Sequence, residues 1–220
     1  MGAWETASSL ATGIGTLVLA VATFASVRSA NRAARVAEQA LLVNMRPLLV
    51  TSRLDDPTQK IFFQEGHLMR LDGSRGGAEI CGGVVYLAIS LRNAGPGIAV
   101  IHGWHFLPGR QLQPDRPALR DFRHQNRDLL IAPDDVGFWQ GAFRDSSDPQ
   151  YDDAMAAVKE GGEDVLTFDL LYGDNDGGQR MISRMSLQRI QRDPSHPDGD
   201  QIFWLASVNR HWNVDRPDPR

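Results

Sequence analysis

The stretch Val84-Val85-Tyr86-Leu87-Ala88-Ile89-Ser90-Leu91-Arg92 decides the class of fold. It is rich in β-branched and aromatic residues, holds neither Gly nor Pro, and places Val85, Leu87, Ile89 and Leu91 on one side of an extended chain. These four are expected in a core. On its amino side, Cys81 follows a Gly-rich loop and is read as a small buried hydrophobe opening the strand. On its carboxyl side, Asn93-Ala94-Gly95-Pro96-Gly97-Ile98-Ala99 has the look of a phosphate loop. The next segment, Ile98 to Leu107, is strand-like, so the helix dipole that such loops use is missing and a tight turn between strands is expected.

The period of two continues in both directions. Strands are expected near Leu48 to Leu54, Lys60 to Gln64, Leu68 to Leu71, Ile98 to Leu107, Asp128 to Ala132, Gly137 to Phe143, Asp164 to Tyr172, Arg180 to Gln188 and Ile202 to Asn209. Many short strands separated by Gly, Pro, Asn and Asp suit an antiparallel β-sandwich, Ig-like or barrel-like, better than a parallel α/β sheet. One short helix interrupts them: Asp148 caps it, Pro149 takes its first position, Tyr151, Met155 and Val158 share a face, and Gly161-Gly162 ends it. It is expected to cover an open end or edge.

Ahead of Pro47 the pattern changes. Thr6 to Val27, TASSLATGIGTLVLAVATFASV, runs without a charge and as a helix would be about 33 Å long, one bilayer crossing. No polar face breaks it, as a buried helix of a soluble protein would show. A signal peptide fits worse, because the arginines follow the apolar stretch instead of preceding it. Arg28, Arg32 and Arg35 hold the following domain on the cytoplasmic side by the positive-inside rule and can touch anionic headgroups. Ala7, Ala11 and Gly15 recur every fourth residue and form a small-residue face on which two such helices could pack. Residues 28–46 continue as a juxtamembrane helix until Pro47, which removes Arg46 from the helical region.

Composition narrows function more than motifs do. With 27 acidic and 23 basic residues, a net charge of −4 offers no general attraction for nucleic acid, and none is expected as a partner. A single cysteine excludes an internal disulfide and a cysteine-rich zinc site. Tyr172-Gly173-Asp174-Asn175-Asp176-Gly177-Gly178 places Asp174 and Asp176 at the spacing that opens a calcium loop, yet Met185 stands where its closing Glu belongs, so a hairpin turn is the expected reading. His102 and His105 are three apart on a strand and should project to opposite faces, which defeats a shared metal. Cys81 with His211 or His124 is the one nucleophilic pair the sequence leaves open. The mixed-charge run Asp115 to Asp128, with Arg116, Arg120, Arg123 and Arg127, reads as a solvated loop.

Three segments carry a resemblance: Arg46-Pro47-Leu48-Leu49-Val50, Leu91-Arg92-Asn93-Ala94-Gly95-Pro96-Gly97-Ile98-Ala99, and Phe168-Asp169-Leu170-Leu171-Tyr172-Gly173-Asp174. With the uncharged span, they resemble bacterial single-pass membrane proteins bearing a cytoplasmic β-sandwich. In the third segment Phe168 takes the aromatic place of the Y-x-D-x-x-G strand end that such proteins carry, and Gly173 falls one residue later than that pattern has it. The resemblance implies architecture and carries over no catalytic residue.

The reading is therefore a flank at 1–5, a transmembrane helix at 6–27, a juxtamembrane helix at 28–46, a β-sandwich at 47–212 and a disordered tail at 213–220. Its expected place is the inner membrane, amino terminus outside and domain in the cytoplasm. Its expected role is a non-enzymatic binding, sensor or effector module for a cytoplasmic protein or small ligand, with no cofactor and with self-association through the span. The alternatives are a membrane-tethered hydrolase or phosphate-handling enzyme using Asp174, Asp176 and a histidine, and an oligomerising membrane-disrupting effector.

Overall fold

The computed structural model describes residues 2–190 and 203–217, with side chains in the first helix from residue 13 onward. The chain forms two compact units, Met1–Asn44 and Met45–Arg220. The first is one helix, α1, Gly2–Asn44. No proline interrupts it, Ala and Leu favour it, and it stops just before the Arg46-Pro47 pair. Its described part, Gly13–Asn44, is long and apolar enough to cross a membrane. Ile14, Leu17, Val18, Leu19, Val21, Phe24 and Val27 are all more than half exposed. Thr23 donates its hydroxyl to the Leu19 carbonyl at 2.7 Å and so does not present a free donor itself.

The second unit is mainly β. Its strands are β1 (Leu49–Thr51), β2 (Gln59–Phe62), β3 (Leu68–Leu71), β4 (Arg75–Cys81), β5 (Val84–Asn93), β6 (Ala99–Pro108), β7 (Arg123–Ile131), β8 (Val136–Phe143), β9 (Val165–Gly173), β10 (Met181–Ile190) and β11 (Phe203–Asn213). Nine of them form one antiparallel sheet in the order β1-β5-β4-β11-β10-β9-β6-β7, with β8 on the other edge of β5. The sheet curls until β7 and β8 stand near each other, bridged by the Gln125 side chain donating to the Gln140 carbonyl at 3.1 Å. The antiparallel β fold read from the sequence thus takes the barrel-like form. Expected strand β11 included residue 202, which lies outside the described residues.

Val85, Leu87, Ile89 and Leu91 are fully buried, as their alternation requires. The opposite face of β5 is buried as well, because the β2–β3 hairpin lies over it and encloses Ile61, Phe63, Met69, Leu71, Tyr86 and Ala88. This second layer explains β4, whose composition reads as a Gly-rich loop. A Cβ at Gly76 would overlap the Leu187 side chain, and one at Gly77 would overlap Met69, so the strand threads between the main core and the hairpin only because both positions lack side chains. Cys81 is not the buried hydrophobe expected; it is exposed, next to a two-glycine turn in which Gly82 and Gly83 have φ of 58° and 79°.

The second helix, α2, spans Tyr151–Val158 and buries Ala154, Ala157 and Val158 against the main core. It starts later than the sequence suggests. Gln150 is its N-cap, and Asp148 instead accepts the Gln150 N–H at 2.9 Å in the turn before it. At the far end, buried Arg189 donates to the carbonyls of Val158 and Lys159 at 2.9 and 3.0 Å, placing a cation on the negative end of the helix dipole.

The Asn93–Ala99 turn is structural throughout. Asn93 is fully buried; its Oδ1 accepts from the N–H groups of Leu48 and Gly95, and its Nδ2 donates to the carbonyls of Gly97 and Ile131. One side chain thereby ties the residue ahead of β1, β5, the turn and β7. Side chains at Gly95 and Gly97 would collide with the backbone of Met45 to Leu48, so the Gly-Pro-Gly spacing serves close backbone approach and not an anion. Val214 and Asp215 are also held, by Val214 N–H to Arg180 O at 3.0 Å and an Arg180–Asp215 ion pair at 2.7 Å. Residues 218–220 of the expected tail lie outside the described residues.

Candidate functional site

Among the described residues the two long strands at the ends of the curled sheet have one neighbour each, β6 for β7 and β5 for β8. Between them opens a cleft of about 220 Å³. Its lining includes Phe63, Trp104, Arg123, Gln125, Arg127 and Gln140. Its floor is aromatic because position 141 is glycine: a Cβ there would lie 2.7 Å from the Trp139 ring and 3.0 Å from the Trp104 ring.

Each rim is braced by an arginine that is already committed. Arg123 grips both oxygens of Asp148, donates to Gln150 Oε1 at 3.1 Å, and sits 4.6 Å from the Phe143 ring centre. Its guanidinium holds the Asp148 carboxyl below the usual carboxylate range despite partial burial. Across the cleft, Arg144 pairs with Glu65 and lowers that carboxyl in the same way, fixing the β2–β3 turn to the end of β8.

The centre is not satisfied. Gln125 Oε1 and Gln140 Oε1 are buried and accept no hydrogen bond. A buried amide oxygen without a donor costs about 1–3 kcal/mol, so these two side chains are held at a local cost in stability. The strand wall beside them is irregular: four residues of β7, Gln125 to Asp128, stand opposite the single residue His102 on β6. That bulge turns the Gln125, Asn126 and Arg127 segment toward the cleft. The lining offers amides, guanidinium groups, aromatic rings and the His124 imidazole.

The same bulge overturns the expectation for the two histidines. Ile101 and Trp104 both enter the core although three apart, so the alternation is reset and His102 and His105 both turn outward. They do not meet. His102 has Gly173 and Arg180 as neighbours, and burial first, then the Arg180 charge, lowers its pKa. His105 lies 3.8 Å from buried Asp169, which is itself paired with Arg184 at 2.7 Å.

Other sequence candidates are used within the fold. Asp174 accepts from the Gly178 N–H at 2.8 Å and the Gln179 amide at 3.3 Å, closing its own hairpin turn, while Asp176 is exposed on that turn. Among the described residues no group of three or more His, Cys, Asp or Glu is placed to hold a metal. Cys81 stands at a hairpin tip, whereas His211 bonds Ser183 at 2.6 Å and His124 lines the cleft. Ser183 and Tyr172, which continue that chain of hydrogen bonds to the Leu49 N–H, are fully buried. Of the small-residue face, Gly15 has open space around it, and the side chains of Ala7 and Ala11 lie outside the described ones. Arg28, Arg32 and Arg35 are exposed on α1. No sequence motif announces the cleft; the nearest signal is the arginine density of the mixed-charge run, which by itself reads as a solvated loop.

The chain matches no protein-family model, no curated protein and no solved structure.

Proposed function

We propose that this chain is a single-pass anchor of the inner membrane carrying a non-enzymatic binding module in the cytoplasm, with the β7–β8 cleft as its recognition site. The observation that carries the reading is the exposed apolar surface of α1. Seven large apolar side chains, Ile14, Leu17, Val18, Leu19, Val21, Phe24 and Val27, stand uncovered on one helix. Removing each from water is worth about 1.5–3 kcal/mol, on the order of 10–20 kcal/mol together. Arg28, Arg32 and Arg35 add about 1 kcal/mol each at an anionic surface, so the anchor is hydrophobic and the arginines set its direction. The Ala7, Ala11 and Gly15 face would allow two anchors to pair.

Two measurements test this. The intact chain should stay with membranes through carbonate washing, and its appearance in the supernatant would end the anchor reading. A membrane-impermeant maleimide should leave Cys81 unlabelled in sealed cells and label it after permeabilisation, without denaturant, because the thiol is exposed. Labelling in sealed cells would put the module on the outer side.

A further inference from the structure

The hydrogen-bond donors of the cleft divide into those already spent and those still open. Arg123 gives Nε, Nη1 and Nη2 to Asp148 and Gln150. Arg144 gives Nε and Nη2 to Glu65, which leaves its Nη1 without a partner among the described residues. On the opposite rim His124, Asn126 and Arg127 line the cleft, are exposed, and bond no other described residue. Open donors therefore stand on both rims.

Their charge is of one sign. Among the described residues that line the cleft there are three arginines and one histidine, and no carboxylate. Asp148 matches Arg123 and Glu65 matches Arg144 from outside the lining, while Arg127 has no such match. Its chain neighbour Asp128 also lies outside the lining and is close enough to His102 to act on it. The uncompensated charge facing the cleft is thus positive, and guanidinium groups favour the flat oxygen pairs of carboxylate and phosphate. At about 220 Å³ the cleft is smaller than the roughly 300–1,000 Å³ of sites that hold drug-sized molecules, so it suits a compact ligand. The Phe63 and Trp104 rings in its lining supply apolar surface for the rest of such a molecule.

We infer that the β7–β8 cleft binds a small organic anion, a carboxylate or phosphate on a compact apolar body. Its oxygens are drawn to Arg127 on one rim and Arg144 Nη1 on the other, with His124 and Asn126 as further donors and the body against Phe63 and Trp104. The inference rests on the cleft being the recognition site and adds the class of ligand.

The test titrates the full chain, labelled with nitrogen-15 in detergent micelles, with benzoate, phenyl phosphate, inorganic phosphate, benzamide and benzylammonium. Binding is read from the Trp104 indole N–H and the backbone amides of residues 123–127 and 140–144. Benzoate or phenyl phosphate should shift these signals saturably, and the tighter of the two names the acid group. Rising salt should weaken that binding. Arg127→Ala, a change at an exposed and unpaired side chain, should weaken it about tenfold, and Arg110→Ala, outside the lining, should leave it unchanged. Unchanged affinity in Arg127→Ala would overturn the inference. Inorganic phosphate should bind at least about tenfold less well, and equal binding would overturn the apolar body. Equal or tighter binding of benzamide or benzylammonium at the same signals would overturn the anion while leaving the cleft as a site. No shift at these signals with any of the five at about 10 mM would overturn both the inference and the site.

Discussion

The Asn93–Ala99 turn and the β7–β8 cleft are both irregular polar regions beside long strands, and they are built on opposite terms. In the turn every polar atom of the buried Asn93 amide is bonded, two donors to carbonyls and one oxygen to two N–H groups. In the cleft two buried amide oxygens are left over. A buried polar group that is fully paired specifies structure, and one that is left waiting costs stability until something arrives. The difference assigns the conspicuous motif to the fold, and the proposed recognition site falls on the inconspicuous segment.

The comparison breaks most visibly at Asn93. Asn93→Ala removes four hydrogen bonds and strands buried backbone groups on three elements, so unfolding should become easier by about 3–5 kcal/mol, read by urea denaturation of the full chain. A loss under about 1 kcal/mol would mean that water replaces the amide and that the turn is not the keystone described.

A smaller and opposite effect is expected in the cleft. Gln140→Leu keeps the approximate shape and deletes an unpaired acceptor, so stability should be unchanged or rise by up to about 1 kcal/mol in the same measurement. A drop of about 2 kcal/mol would show that this oxygen has a partner in the resting protein, and the contrast with Asn93 would dissolve.

The smallest effect sharpens the boundary between the two regions. His102 lies under the β7 bulge with its pKa held below the ordinary value by burial, so the folded state prefers it neutral. The unfolded chain binds the proton first, near pH 6.5, and stability is therefore full above that pH and declines as pH falls through it. Asp148, Asp56 and Asp215, lowered chiefly by their arginine partners, lose their contribution only at more acid pH, as the medium falls below the ordinary carboxylate value. His102→Gln should flatten the slope between about pH 7.5 and 5.5 and leave the acid limb intact. A slope unchanged by the substitution would remove His102 from the account.

What could be seen in the sequence depended on how local its cause was. The alternation in β5 is local, and Val85, Leu87, Ile89 and Leu91 lie in the core as read. The apolar run in α1 is local too. β4 was hidden because Gly76 and Gly77 signal a loop by composition, while their reason, Leu187 and Met69 pressing from two layers, is set by residues far along the chain. The first half of β7 was hidden by its charges, which suit a rim strand as well as they suit a loop. The bulge that turned His102 and His105 to one side, and the gap that left two glutamines unpaired, follow from which strands become neighbours. No window of sequence contains that information.

The exposed hairpin tip gives the chain an unusual convenience. Its one thiol, Cys81, is accessible and lies outside the cleft lining, so a maleimide dye adds a single fluorophore per polypeptide at a known place. In single particles reconstituted into lipid discs, the number of bleaching steps then equals the number of copies present. A chain whose anchor was read as self-associating thus carries its own counter of subunits.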